Sequence, residues 1–136
     1  MPSARSRRVS VPDDVLTMDK DKRLRRLWET IQDIPPGSVA SYGQIAEIAG
    51  IPRGARMTAY ALRVAPQELE LPWHRVVQVS GKSAFDPNSR HFRMQRDRLA
   101  DEGVPMISGR VDMQQFRWEP ALDELLWKPS DAWDKQ

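Results

Sequence analysis

The chain has no cysteine and only two histidines, His74 and His91. The first absence excludes disulfides, thiolate-bound metals and thiol nucleophiles together. The second leaves two imidazoles too far apart in sequence to suggest a zinc site, so no metal and no cofactor is expected. Long hydrophobic runs are missing too. No stretch approaches the roughly 20 apolar residues of a membrane span, and the opening "MPSARSRRVS" lacks the apolar segment of a secretory signal. A cytoplasmic protein with no membrane partner is expected, nucleoid-associated if bacterial. Acidic side chains are scarce in three segments. Residues 1–26 carry eight bases against four acids, residues 53–63 three bases and no acid, and residues 74–98 six bases against two acids. From Asp112 onward the balance reverses, with six acids and three bases. Any one block reads as a solvated surface; three that converge on one face suit a polyanion.

What is present is ordinary globular material: 136 residues, 40% hydrophobic and 29% charged, enough for one modest core. A flexible basic arm is expected over 1–17, a folded domain over 18–129 and a short tail over 130–136, in a monomeric protein. Leu24, Leu27, Trp28 and Ile31 recur at helical spacing, which predicts an amphipathic helix over 19–33, ended by Ile34-Pro35-Pro36-Gly37. In "SYGQIAEIAG", Ser41 and Gln44 fit a capping box, Ile45, Ile48 and Ala49 form an apolar stripe, and Gly50 suits the left-handed closing position. Pro52 and Gly54 then precede a third helix over about 55–65. On it Met57, Tyr60, Ala61 and Val64 make a core stripe, while Arg56, Ala59 and Arg63 share a basic face. Two helices across a tight Gly/Pro turn read as a helix-turn-helix.

Beyond Pro72, "VVQVSGKSAF" predicts a hairpin turning at Ser80-Gly81. Ser89 caps a helix containing Phe92 and Leu99 that ends at Gly103. "VPMISGRVDMQQFRWEP" predicts a second hairpin with Gly109 at its turn. Leu122, Leu125, Leu126 and Trp127 form a closing clamp. The fold class is mainly α with short β-hairpins, in a winged helix-turn-helix-like layout.

The order and spacing of "PPGSVASYGQIAEIAG", "PRGAR", "LPWHRVV", "SGK" and "RLADEGV" resemble the DNA-binding domain of alkylguanine-DNA alkyltransferases, over about residues 20–129. Trp73 stands where those enzymes keep their reactive cysteine, so the chain resembles the alkyltransferase-like proteins, their non-enzymatic relatives. The resemblance implies that Tyr42 helps rotate a nucleotide out of the duplex through the minor groove and that Arg56 fills the vacated gap. It implies that Trp73, His74, Arg75, Val76 and Glu102 form the lesion pocket, with the carbonyls of Trp73 and Val76 accepting from the flipped guanine. His74 and Glu102 match the pair that activates the cysteine, and with no thiol present they are left a structural part. Ser41, Arg53, Arg63 and Arg90 are expected at the DNA backbone.

The implied activity is that of a sensor, which binds O6-alkylguanine in duplex DNA without alkyl transfer and directs it to nucleotide excision repair proteins. An indole is no nucleophile for an alkyl ether at neutral pH, so no enzyme and no catalytic residue is expected. Two positions depart from the pattern. Ala65 replaces an asparagine of the transferases. Asp86 falls where some alkyltransferase-like proteins place a loop arginine, with Arg90 nearby as a substitute. The alternative function is a winged-helix transcription regulator reading the major groove, for which the third helix offers few base-reading polar side chains. A hydrolase using His74 and Glu102 ranks below both, because it lacks a nucleophile or metal.

Overall fold

Asp19 starts the first helix by accepting a hydrogen bond from the Lys22 amide at 2.8 Å. The computed structural model describes residues 19–120, so the basic arm and the Leu122–Trp127 clamp lie outside the described residues. Helix α1 spans Lys20–Gln32 and buries Leu24, Leu27 and Ile31 at the expected spacing. Trp28 stays half-buried because its indole N–H donates to the Ala61 carbonyl at 2.8 Å. Strand β1 (Ala40–Ser41) runs straight into α2 (Tyr42–Ile48), whose first turn is capped by the Ser41 hydroxyl at 3.1 Å. The end of α2 is closed by Gly50 at φ 82°, with the Gly50 and Ile51 amides donating to the Glu47 and Ala46 carbonyls. Only glycine takes that left-handed conformation without a Cβ penalty. Helix α3 (Ala55–Val64) stops because Pro66 forces Ala65 into extended backbone. α1, α2 and α3 pack on one another, which gives the expected helix-turn-helix with a bracing helix.

Two local expectations are corrected. The capping box is half formed, since the Gln44 side chain reaches away to the Trp118 carbonyl at 2.7 Å. The buried face of α3 is turned toward Thr58 and Ala61, while Met57 and Tyr60 are half-buried and Val64 is 42% exposed. Thr58 fits a core position because its hydroxyl donates back to the Gly54 carbonyl at 3.2 Å.

The first hairpin is also corrected. Strand β2 (Val76–Val77) pairs in parallel with β1, Ala40 opposite Val76 and Ser41 opposite Val77. A turn does form over Gln78–Lys82, but the chain leaving it pairs with residues 109–111, through Val111 N–H to the Gly81 carbonyl and Ser83 N–H to the Gly109 carbonyl. The reason lies in the two adjacent valines, which alternate in direction as strand residues must. Val76 joins the apolar cluster of α1, α2 and α3, whereas Val77 joins a second one with Val39, Leu99, Val104 and Val111. A strand buried on both faces belongs inside, beside another buried strand. At Gly81, with φ 91°, an added Cβ would run into the Val111 carbonyl, so the crossing requires glycine.

The second turn closes tightly between Ile107 and Arg110, with Ser108 and Gly109 both at positive φ. Beyond it the chain forms a short helix in place of the expected strand. Helix α4 (Arg90–Asp101) is capped by Ser89, and α5 (Met113–Phe116) by Asp112, which accepts from the Gln114 amide.

Candidate nucleic-acid interface

A cleft of about 1120 Å³ opens beside α3 and the single turn of 3₁₀ helix Trp73–Arg75 that leads into β2. Tyr42 from the start of α2 and Ala59, Leu62 and Arg63 from α3 line it, as do Ala65 and Pro66. Trp73, His74 and Arg75 form a wall that Phe85, His91 and Arg98 extend.

Trp73 is held by rings. It meets His74, Phe85 and His91 edge-on at centroid distances of 6.3, 5.6 and 5.9 Å, and Phe85 stacks on His91 at 5.4 Å. The Arg98 guanidinium lies 5.2 Å from the indole centroid. Contacts of this kind add about 0.5–1.5 kcal/mol beyond burial and fix ring orientation.

Behind Trp73 the wall is tied by Glu102. Its carboxylate accepts from His74 Nε2 at 2.7 Å, from Arg75 Nη2 at 2.7 Å and Nε at 3.0 Å, and from the Gly37 amide at 3.2 Å. Arg75 Nη1 donates to the Ile34 carbonyl at 2.8 Å, so the network joins the end of α1, the wall and the end of α4. Burial pushes the Glu102 carboxyl up, but the bonds from Arg75, His74 and Gly37 outweigh it and hold the group at about 2. Burial lowers the His74 pKa, with the Arg75 and Arg98 charges adding to it and Glu102 opposing. A neutral imidazole donating Nε2–H to a carboxylate carries its lone pair on Nδ1. That Nδ1 is buried and has no hydrogen-bond partner among the described residues. Gln95 holds the backbone of the wall, its Nε2 donating to the His74 and Val76 carbonyls while Ser83 Oγ donates to its Oε1.

The sequence-selected residues fall into three groups. Tyr42, Arg63, Trp73, His74 and Arg75 line the cleft. Burial raises the Tyr42 pKa, so its hydroxyl stays protonated. Arg53, Arg56 and Arg90 are exposed outside it. Arg56 sits two turns before Arg63 on the same face of α3, about 10 Å along the axis. Glu102 stands behind the wall.

Two of the selected residues lie apart from the lining. Val76 is buried between β1 and the helical core, and its carbonyl accepts from Gln95. Ser41 is only 5% exposed, and its hydroxyl accepts from the Gln44 amide at the α2 cap. Asp86 is also off the cleft, its carboxylate accepting from the Asn88 amide within the loop.

Sequence reasoning missed Phe85, His91 and Arg98. A signal existed on α4: His91, Gln95, Arg98 and Glu102 repeat at i, i+4, i+7 and i+11, which puts a polar stripe on the helix face toward the Trp73–Arg75 turn.

A helix-turn-helix with exposed arginines beside an aromatic-lined cleft is an architecture that suits a DNA-binding domain. Residues 23–104 match the family of the 6-O-methylguanine DNA methyltransferase, DNA binding domain. The chain is 36% identical over 109 residues to a DNA base-flipping protein of Escherichia coli, covering 79% of this chain and 83% of that protein. It is 31% identical over 112 residues to alkyltransferase-like protein 1 of Schizosaccharomyces pombe, covering 82% of this chain and 100% of the relative. S. pombe Atl1, solved in complex with damaged DNA containing O6-carboxymethylguanine, matches with a TM-score of 0.68 at 30% identity, over 76% of this chain and 100% of that one. The chain belongs to this DNA-binding-domain family, among its alkyltransferase-like proteins.

Proposed function

We propose that the protein is a DNA damage sensor that binds O6-alkylguanine in duplex DNA and holds the flipped base without repairing it. One observation carries the reading: Trp73, not a nucleophile, forms the cleft wall, on a turn made rigid by Glu102 and Gln95. Helix α3 enters the minor groove with Arg56, Ala59 and Arg63 toward the DNA. Tyr42 steers the alkylated nucleotide into the cleft and the Arg56 guanidinium occupies the gap. Unstacking costs a few kcal/mol, which a stacking planar cation partly offsets. The alkyl group stays on oxygen, because neither the indole nor the buried His74 Nδ1 can attack it. The bound complex then marks the site for nucleotide excision repair proteins.

The test is fluorescence anisotropy with one duplex, unmodified or carrying a single O6-methylguanine. Tighter binding of the alkylated duplex, with the base recovered unchanged afterwards, is expected. Equal affinity for the two duplexes overturns lesion recognition, and labelled methyl on the protein overturns the non-enzymatic reading.

A further inference from the structure

We infer that Arg98 is a specificity-determining residue which makes the cleft prefer anionic substituents on the alkylated base. The inference rests on the lesion-binding reading above and goes beyond it, from the base to the chemistry of its adduct. Arg98 lies on α4, lines the cleft and is held over the Trp73 ring at 5.2 Å. It is exposed, and among the described residues it has no carboxylate partner. The contrast with Arg75 is direct, since each nitrogen of that guanidinium donates to Glu102 or the Ile34 carbonyl. A cation held on an aromatic face keeps its N–H donors for a ligand.

The cleft also has room for an adduct larger than methyl. Its volume of about 1120 Å³ lies just above the range of small-molecule sites, which run about 300–1,000 Å³. Arg63 adds a second cation to the lining, against one unpaired carboxylate, Glu70. A carboxylate carried by the base therefore meets net positive charge, and Arg98 stands beside the ring that the base must approach. A neutral chain of the same length gains contact but no charge-assisted hydrogen bond.

The experiment compares duplexes with a single O6-carboxymethylguanine, O6-propylguanine or unmodified guanine, on the full chain and on Arg98→Gln, Arg98→Lys and Arg96→Gln. Arg96 is an exposed arginine of the same helix, paired with Asp97 and outside the cleft, so it controls for general charge loss. The wild-type chain should bind the carboxymethyl duplex about tenfold more tightly than the propyl duplex, the scale of one hydrogen bond to a charged group. Arg98→Gln should bring that ratio to about one, Arg98→Lys should keep part of it, and Arg96→Gln should keep it whole. A wild-type ratio near one overturns the inference, as does a ratio that survives Arg98→Gln or is lost equally in Arg96→Gln. Equal weakening of all three duplexes by Arg98→Gln reduces the residue to a backbone contact and overturns it too. If neither alkylated duplex outbinds the unmodified one, the lesion-binding reading itself has failed.

Discussion

Arg75 and Arg56 stand for two regions built on opposite terms. Around Arg75 the charged groups are paired: the guanidinium grips Glu102 and the Ile34 carbonyl, and Glu102 also takes His74 Nε2 and the Gly37 amide. The face of α3 around Arg56 is exposed, with the Arg63 guanidinium 5.6 Å from the Tyr60 ring. The first region fixes a shape and the second offers charge to a partner. If that division is right, substitutions in the wall act on stability and substitutions on α3 act on DNA.

The largest effect is expected from the wall. Glu102→Ala leaves the Arg75 guanidinium and the Gly37 amide without their acceptor, at side-chain exposures of 14% and 15% for Arg75 and Glu102. Removing one partner of such a buried pair costs about 3–5 kcal/mol. Arg56→Ala, at an exposed position, should cost no more than about 0.5 kcal/mol. Urea denaturation measures both, and equal costs would erase the contrast.

The pH dependence sharpens the same point. Glu102 titrates at about 2 in the fold against 4.5 unfolded, so its stabilisation is full above 4.5 and is lost as pH falls toward 2. The His74 pKa is lowered by burial, so the unfolded chain takes up its proton first and stability begins to fall as pH drops through 6.5. The stability gap between wild type and Glu102→Gln should narrow as pH falls from 4.5 to 2, where the stabilisation by the carboxylate is lost. A gap that fails to narrow between 4.5 and 2 would mean that Glu102 is not held as a carboxylate.

The same contrast explains what was legible in the sequence. The helix-turn-helix was readable because its signals are local: Ser41 and Gly50 bracket α2, and Pro66 ends α3 within two residues. The Trp73–Arg75 wall was legible only through resemblance, because what fixes it is distant in sequence, as when Glu102 bonds Arg75 27 residues away and Gly37 65 away. Parallel pairing of Val76-Val77 with Ala40-Ser41 has no turn to announce it, so the run reads as a hairpin. Phe85 and His91 escaped for a further reason: a ring in a loop carries no period, and only the cleft gives it a direction.

On the α3 side the larger expected loss belongs to Arg56 and Tyr42. If Arg56 fills the gap left by a flipped nucleotide, Arg56→Ala removes about 1–3 kcal/mol of affinity for alkylated duplex and little for normal duplex. Tyr42→Ala should follow it, since a nucleotide that is not steered never leaves the stack. A fluorescent base analogue placed opposite the lesion reports the flip directly, and equal losses on both duplexes would make Arg56 an ordinary backbone contact.

The smallest effect is expected at Arg63, and it separates charge from flipping. Arg63 lies two turns along the same face, at the rim of the cleft, with its guanidinium over Tyr60. There it suits a phosphate beside the extruded nucleotide. A phosphate contact acts through released counterions, so it is blind to the base. Arg63→Ala should therefore weaken alkylated and normal duplexes by the same factor, and lower the slope of log affinity against log salt by about one unit. The Arg56→Ala slope should change by less than half of that, because a stacked cation in the duplex interior displaces few counterions from the backbone. Titrations over a range of salt concentrations on both duplexes decide the matter. If Arg56→Ala takes the full unit of slope and Arg63→Ala takes the lesion increment, the two arginines have exchanged roles and the helix enters the groove in the opposite sense.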